Sequence, residues 1–132
     1  KIKKDYYDFV RCEQVLEHLS DLTLFFKLMS TIIKKNCYLH VSVPNAKKII
    51  KNNKIELYLN KGPAQPLEHL NAFTPKSLIK VANKYGFKEL SIIKLLLIYK
   101  YKGIFSIKNF KNFIKSLYNF FFNTSKYFQK ID

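Results

Sequence analysis

Short β-branched and aromatic runs alternate with segments of helical periodicity along the first hundred residues, and that alternation restricts the chain to few folds. Tyr6-Tyr7-Asp8-Phe9-Val10-Arg11-Cys12 precedes a charged loop and reads as a buried strand over Tyr7 to Cys12. Between Ser20 and Lys35, apolar residues at Leu22, Phe25, Phe26, Met29, Ile32 and Ile33 keep the spacing of an amphipathic helix. Ser20 or Asp21 supplies its N-cap, and Lys34 and Lys35 its basic end. Tyr38-Leu39-His40-Val41-Ser42-Val43 is a second strand, closed by Pro44, which has no N–H for a ladder.

The Lys-rich stretch from Asn45 to Gly62 suits either a short helix or a loop, and Pro63-Ala64-Gln65-Pro66 makes a rigid connection. Thr74-Pro75 then marks a helix start, a Thr N-cap followed by Pro at the first helical position. Its apolar face is Leu78, Ile79, Val81, Ala82 and Tyr85, and Gly86 falls where a left-handed C-terminal cap is needed. Phe87 returns to the core, and Glu89 to Tyr101 begins as a third strand before a turn at Lys102-Gly103.

Strand, helix, strand, helix, strand is the order of an α/β domain with a mostly parallel sheet, whose ligands lie at the carboxyl ends of the strands. The two loops leaving those ends, Glu13 to Asp21 and Asn45 to Thr74, hold Glu13, Gln14, Glu17, His18, Asn45, Glu68, His69 and Asn71. With 132 residues, 48% of them hydrophobic, the chain supplies one core and not two. Its longest apolar run, Leu95 to Tyr99, falls far short of the roughly 20 residues of a membrane span. The basic first residues lead into Tyr-Tyr-Asp, not into an apolar run with a cleavage site, so they do not read as a signal peptide. Cys12 and Cys37 are too few for a disulfide framework, which points to a reduced, cytoplasmic setting. The chain begins with Lys and not Met, and is expected to be a piece of a longer protein.

Several segments carry a family resemblance: Asp8-Phe9-Val10, Glu13-Gln14-Val15-Leu16-Glu17-His18-Leu19, Val41-Ser42-Val43-Pro44-Asn45, His69-Leu70-Asn71-Ala72-Phe73-Thr74-Pro75-Lys76-Ser77-Leu78 and Tyr85-Gly86-Phe87. In that order and spacing, over about Tyr6 to Leu90, they resemble the second half of a class I S-adenosylmethionine-dependent methyltransferase. The branch resembled is that of small-molecule methyltransferases of ubiquinone-pathway and sugar-modifying type. The resemblance implies a Rossmann-like α/β sheet entered at strand 4, continuing through strands 5 and 6 with intervening helices. It also implies S-adenosylmethionine as cofactor and a small-molecule acceptor.

A complete member carries an earlier Gly-rich turn against the cofactor and an acidic residue for its ribose. Here Gly62, Gly86 and Gly103 form no Gly-x-Gly arrangement. Residues 1–101 are therefore expected to be a partial methyltransferase domain, inactive alone and completed by a missing amino-terminal half. The edge of its first strand is expected to be exposed.

The resemblance places Cys12, Glu13 and Gln14 beside the cofactor, the plainer alternative for Glu13 being a solvated loop carboxylate. Glu17 and His18 are the candidate catalytic pair: either they organise their loop through hydrogen bonds, or His18 takes a proton from an acceptor hydroxyl as the methyl group transfers. Asn45, His69 and Asn71 are the candidate substrate-binding residues, with Phe73 beside them in the core. Small-RNA 2'-O-methyltransferases resembling this family hold a divalent metal with a Glu, a Glu-His pair and a distant His. Glu17, His18 and His69 match three of those positions, but Gln14, a weaker neutral ligand, stands at the fourth, and no metal is expected. His40 reads as a packed histidine, and both cysteines as packing residues.

From Ile107, Phe110, Phe113, Ile114, Leu117, Phe121 and Phe128 recur at helical spacing between Lys108, Lys111, Lys115 and Lys126, which predicts an amphipathic helix to about Phe122 within a basic aromatic tail, residues 102–132. Residues 94–132 hold 8 Lys, one acid and 11 Phe or Tyr, a +7 share of the net +15. Such a segment packs on its own sheet, lies on a membrane surface, or binds single-stranded nucleic acid. Because Lys, Asn, Phe, Ile and Tyr are frequent throughout, charge alone argues weakly, and nucleic acid is the least expected partner. A non-enzymatic module attached through this tail to anionic membrane or RNA is the alternative to an enzyme.

Overall fold

A computed structural model describes residues 2–47, 69–91, 93–95 and 124–131. The first strand, β1, spans Tyr7–Glu13 and is followed by one 3₁₀ turn at Leu16–His18. Helix α1 spans Leu22–Ile32, begun by Asp21, whose carboxylate accepts the Leu24 N–H at 2.9 Å. Strand β2 follows at once over Ile33–Val43. Lys34 and Lys35, expected to close the helix, therefore belong to the strand. What converts them is long-range backbone pairing with β1, Tyr7 standing opposite Ile33 and Phe9 opposite Tyr38, and Asn36 takes a left-handed φ of 62° at the register shift between those pairs; Lys34 Nζ also meets Asp8 at 2.9 Å on the surface.

Helix α2, Pro75–Asn83, starts as its local signals require: the Thr74 side chain accepts from the Ser77 N–H, and Ser77 returns a bond to the Thr74 N–H. Gly86 closes the turn behind it at φ 78°. The third strand is shorter and earlier than expected, β3 being Phe87–Glu89. After Leu90, Ser91 caps a helical turn at residues 93–95 through its side chain and carbonyl, so the strand does not continue through Leu95. Strand β4, Thr124–Lys130, is an element that the sequence pattern does not announce. Phe128 and Lys126, grouped above with a helical face, lie in it. The segment from Ile107 to Phe122, residues 96–101 and the stretch from Lys48 to Glu68 lie outside the described residues.

The sheet order is β1-β2-β4-β3. Strands β1 and β2 are parallel, while β4 runs antiparallel to both its neighbours, so the sheet is mixed. The strands implied as 4, 5 and 6 correspond in chain order to β1, β2 and β3, with β4 inserted between the last two. Alternation along the strands sends Cys12, Leu39, Val41, Val43 and Phe128 to one face, where they pack with Phe26 and Met29 of α1 and Leu78 and Ala82 of α2. Phe26 stacks on Tyr85 at 5.4 Å and meets Phe87 at 6.3 Å, joining the two helices on that face. Phe128, wholly buried, is part of this core and not of a surface that could meet lipid.

The other face carries His40 beside Tyr127, with ring centroids 4.3 Å apart, and His40 Nε2 shares a 2.8 Å hydrogen bond with Ser125. Among the described residues no helix is long and apolar enough to cross a membrane.

Candidate functional site

Because β1 and β2 are parallel, their carboxyl ends share one edge of the sheet, and the candidate residues gather there. Gln14 leaves β1 with a left-handed φ of 53°, and its N–H donates to the Ser42 carbonyl at 2.9 Å. That turn swings the chain across the end of β1, and Leu16, fully buried, anchors the 3₁₀ turn behind it.

A segment more than fifty residues later is tied to that turn. The Asn71 side-chain amide donates to the Leu16 carbonyl at 3.1 Å and to the Leu19 carbonyl at 2.6 Å. The Asn71 backbone N–H donates to the Glu17 carbonyl at 3.0 Å. Two residues on, Phe73 is buried and its carbonyl accepts the Ala46 N–H at 2.9 Å, which joins the same segment to the end of β2 beside Asn45. With Thr74 fixed as the cap of α2, residues 69–74 have little freedom. The His18 and His69 rings consequently meet edge to face, with centroids 4.9 Å apart.

Glu17 points inward from the same turn. It is 2% exposed, and neither carboxylate oxygen has a hydrogen-bond partner. Its charge is felt by Cys12, whose thiol is pushed up to about 11, first by burial and then by Glu17. Cys12 is thus a neutral thiol near neutral pH and packs in the core, as expected of it. Ligand atoms of Glu17, His18 and His69 all lie within 4.8 Å of one another.

Glu17, His18, His69 and Asn71 are therefore brought together, and Asn45 lies alongside through Phe73. The Glu17 side chain does not organise its loop through hydrogen bonds, since it makes none; that role falls to Asn71. Asn71, expected to touch an acceptor, spends its NH₂ group on two carbonyls and keeps its side-chain oxygen for other contacts. The Asn45 side-chain oxygen accepts the Lys47 N–H at 3.0 Å. Glu13 is exposed at the end of β1, ion-paired with Arg11, and Gln14 is exposed beside it. His40 lies apart from this edge, buried as expected; burial and the positive charge of Arg11 lower its pKa to about 4.

What the sequence left unmarked is the burial of Glu17.

The sequence model of a family described as a methyltransferase domain matches residues 2–92. No curated protein matches the chain. Among solved structures, one assigned as a sarcosine dimethylglycine methyltransferase from Galdieria sulphuraria superposes with a TM-score of 0.52 at 13% identity, over 98% of this chain and 55% of its own. A phosphoethanolamine N-methyltransferase 2 from Haemonchus contortus, solved with S-adenosyl-L-methionine, gives a TM-score of 0.45 at 11% identity, over 100% of this chain and 35% of its own. The chain thus spans about half the length of the first of these structures, and its likeness to that structure is one of fold.

Proposed function

The chain belongs to the methyltransferase-domain family, and on that premise we propose that it contributes to S-adenosylmethionine-dependent methyl transfer onto a small-molecule acceptor. The observation that carries this reading is the convergence of Gln14, Glu17, His18, His69 and Asn71 at the carboxyl edge of β1 and β2, within the segment that the family model matches. Ligands of α/β sheets bind at that edge.

S-adenosylmethionine, when bound, supplies a methyl group activated on a sulfonium. The residues present fit one side of it: the Glu13–Gln14 backbone crosses the end of β1 in a left-handed turn, with both side chains exposed. Cys12, its side chain committed to the core, offers that side its backbone alone. His18 and His69 stand on the neighbouring turn as the groups that hold or take a proton from an acceptor, and the Asn71 clamp orients both. The Gly-rich part of the cofactor site has no counterpart in these 132 residues. In our reading it comes from the amino-terminal half of the same domain, and the chain acts with that half.

Isothermal titration of S-adenosylmethionine and S-adenosylhomocysteine, into the chain alone and with an amino-terminal methyltransferase half supplied, tests this. Binding that appears with the added half supports the proposal. No binding to either preparation contradicts it.

A further inference from the structure

We propose that the amino end of the sheet, opposite the candidate site, is a docking surface for an anionic membrane. The proposal does not depend on the methyl-transfer reading. The topology brings four pieces of chain to that end: residues 2–7, the start of β2, the turn before β3 and, because β4 is antiparallel, the last residues of β4. The backbone fastens them there. The Asp5 and Tyr6 N–H groups donate to the Thr31 and Ile32 carbonyls, each at 2.9 Å, and the Ile131 N–H donates to the Gly86 carbonyl at 2.9 Å. Lys130 adds its bonds to Asp5 and to the Ile33 carbonyl.

Exposed apolar groups and unbalanced positive charge coincide on this end. Ile2 is 66% exposed, Tyr6 51%, Tyr7 45% and Ile131 43%. Around them, exposed Lys3, Lys4, Lys35 and Lys84 have no acidic partner among the described residues, since Asp5 and Asp8 are taken by Lys130 and Lys34. The carboxyl edge differs, holding Glu13, Glu17 and Asp21. Lysine is frequent along the whole chain, so it is the uneven placing of acids, and not the total charge, that distinguishes the two ends.

Apolar groups ringed by cations match the surface of an anionic bilayer. Isoleucine and tyrosine side chains leave water for the headgroup region, and each lysine close to the lipid phosphates raises partitioning about fivefold. Single-stranded nucleic acid suits this end less, because bases stack on free ring faces. Here Lys3 Nζ lies 4.3 Å from the centre of the Tyr6 ring, Tyr6 and Tyr7 meet edge to face at 5.0 Å, and Ile2 and Ile131 offer no platform. A second copy of the chain suits it least: joining two such ends opposes their lysines, at a net charge of +15 per chain. Docked in this way, the chain holds the carboxyl edge of β1 and β2 away from the bilayer, open to water.

The test sediments the full, untagged chain with vesicles of phosphatidylcholine, with and without phosphatidylglycerol. Binding should require phosphatidylglycerol and fall roughly tenfold or more between about 0.1 and 0.5 M salt. Lys3→Gln, Lys4→Gln and Lys35→Gln together should weaken it on the order of a hundredfold. Lys108→Gln, Lys111→Gln and Lys115→Gln together remove the same charge from the basic tail and should weaken it less than about fivefold. Because a variant can fail to fold, hydrogen exchange of the unaltered chain gives a second reading: vesicles should protect residues 2–4 and 34–36 and leave 14–19 as they are. Absence of binding, equal binding to both kinds of vesicle, equal losses from the two triple variants, or protection that spares residues 2–4 and 34–36 would each overturn the proposal. So would tighter binding of polyuridylate than of the anionic vesicles at the same salt.

Discussion

Lys130 and Glu17 are the buried lysine and the buried carboxylate among the described residues, and they lie at opposite ends of the sheet. Lys130 ends β4 and, because β4 is antiparallel, sits where β2 begins. Its ammonium donates to the Ile33 carbonyl at 2.8 Å and to Asp5 at 3.0 Å, so the charge is matched on the spot. Glu17 lies at the carboxyl edge, as deeply buried and matched by no hydrogen bond. A matched buried charge fixes one arrangement of the chain, here pinning the turn before β1 to the last strand. An unmatched one lowers stability, and a fold keeps such a group where something else is to bind. One end of the sheet thus holds a buried charge matched in place, and the other, where the proposed site lies, holds one matched by no hydrogen bond.

Acid sharpens this contrast most, because it strikes a group that belongs to neither end. His40 has a pKa of about 4 in the fold against 6.5 when unperturbed. Between those values the unfolded chain binds the proton and the folded chain does not, so stability is full above pH 6.5 and falls as the pH drops toward 4. The loss approaches about 3 kcal/mol. Urea unfolding at pH 7, 5.5 and 4 measures it, and His40→Gln should flatten the profile.

Asn71→Ala breaks the carboxyl edge itself. It leaves two carbonyls, those of Leu16 and Leu19, without their donors, at a cost of about 2 kcal/mol. It should also separate the His18 and His69 rings, visible as a change in their imidazole shifts, whereas Lys130 and its partners stay as they are. Thr74→Ala removes the cap of α2 and should cost about 1 kcal/mol in thermal or urea unfolding. Since Thr74 also ends the segment bearing His69, the His69 resonance should move more than that of His40.

What could be read from the sequence follows the reach of each interaction. The start of α1, narrowed to Ser20 or Asp21 and set by Asp21 in the structure, the Thr74-Pro75 start of α2 and Gly86 behind it were legible because their causes lie within three or four residues. So was the gathering of site residues in the two loops, since parallel strands send their loops to one edge. Strand β4 was not legible. Its Lys126 and Phe128 also fit a helical spacing, and only insertion between β2 and β3, at a great distance in sequence, makes them a strand. The start of β2 was hidden for the same reason, as Lys34 and Lys35 read as a helix end until the chain pairs with β1. The burial of Glu17 was equally silent, being imposed by a clamp from Asn71.

The contrast between the two ends is tested most directly by unfolding free energies of Glu17→Met and Lys130→Met, measured side by side in urea with chelator present. Removing the unmatched carboxylate should raise stability by about 1–2 kcal/mol. Removing the matched ammonium, which strips Ile33 of its donor, should lower stability by about 1–3 kcal/mol. Two changes of the same sign would contradict the account.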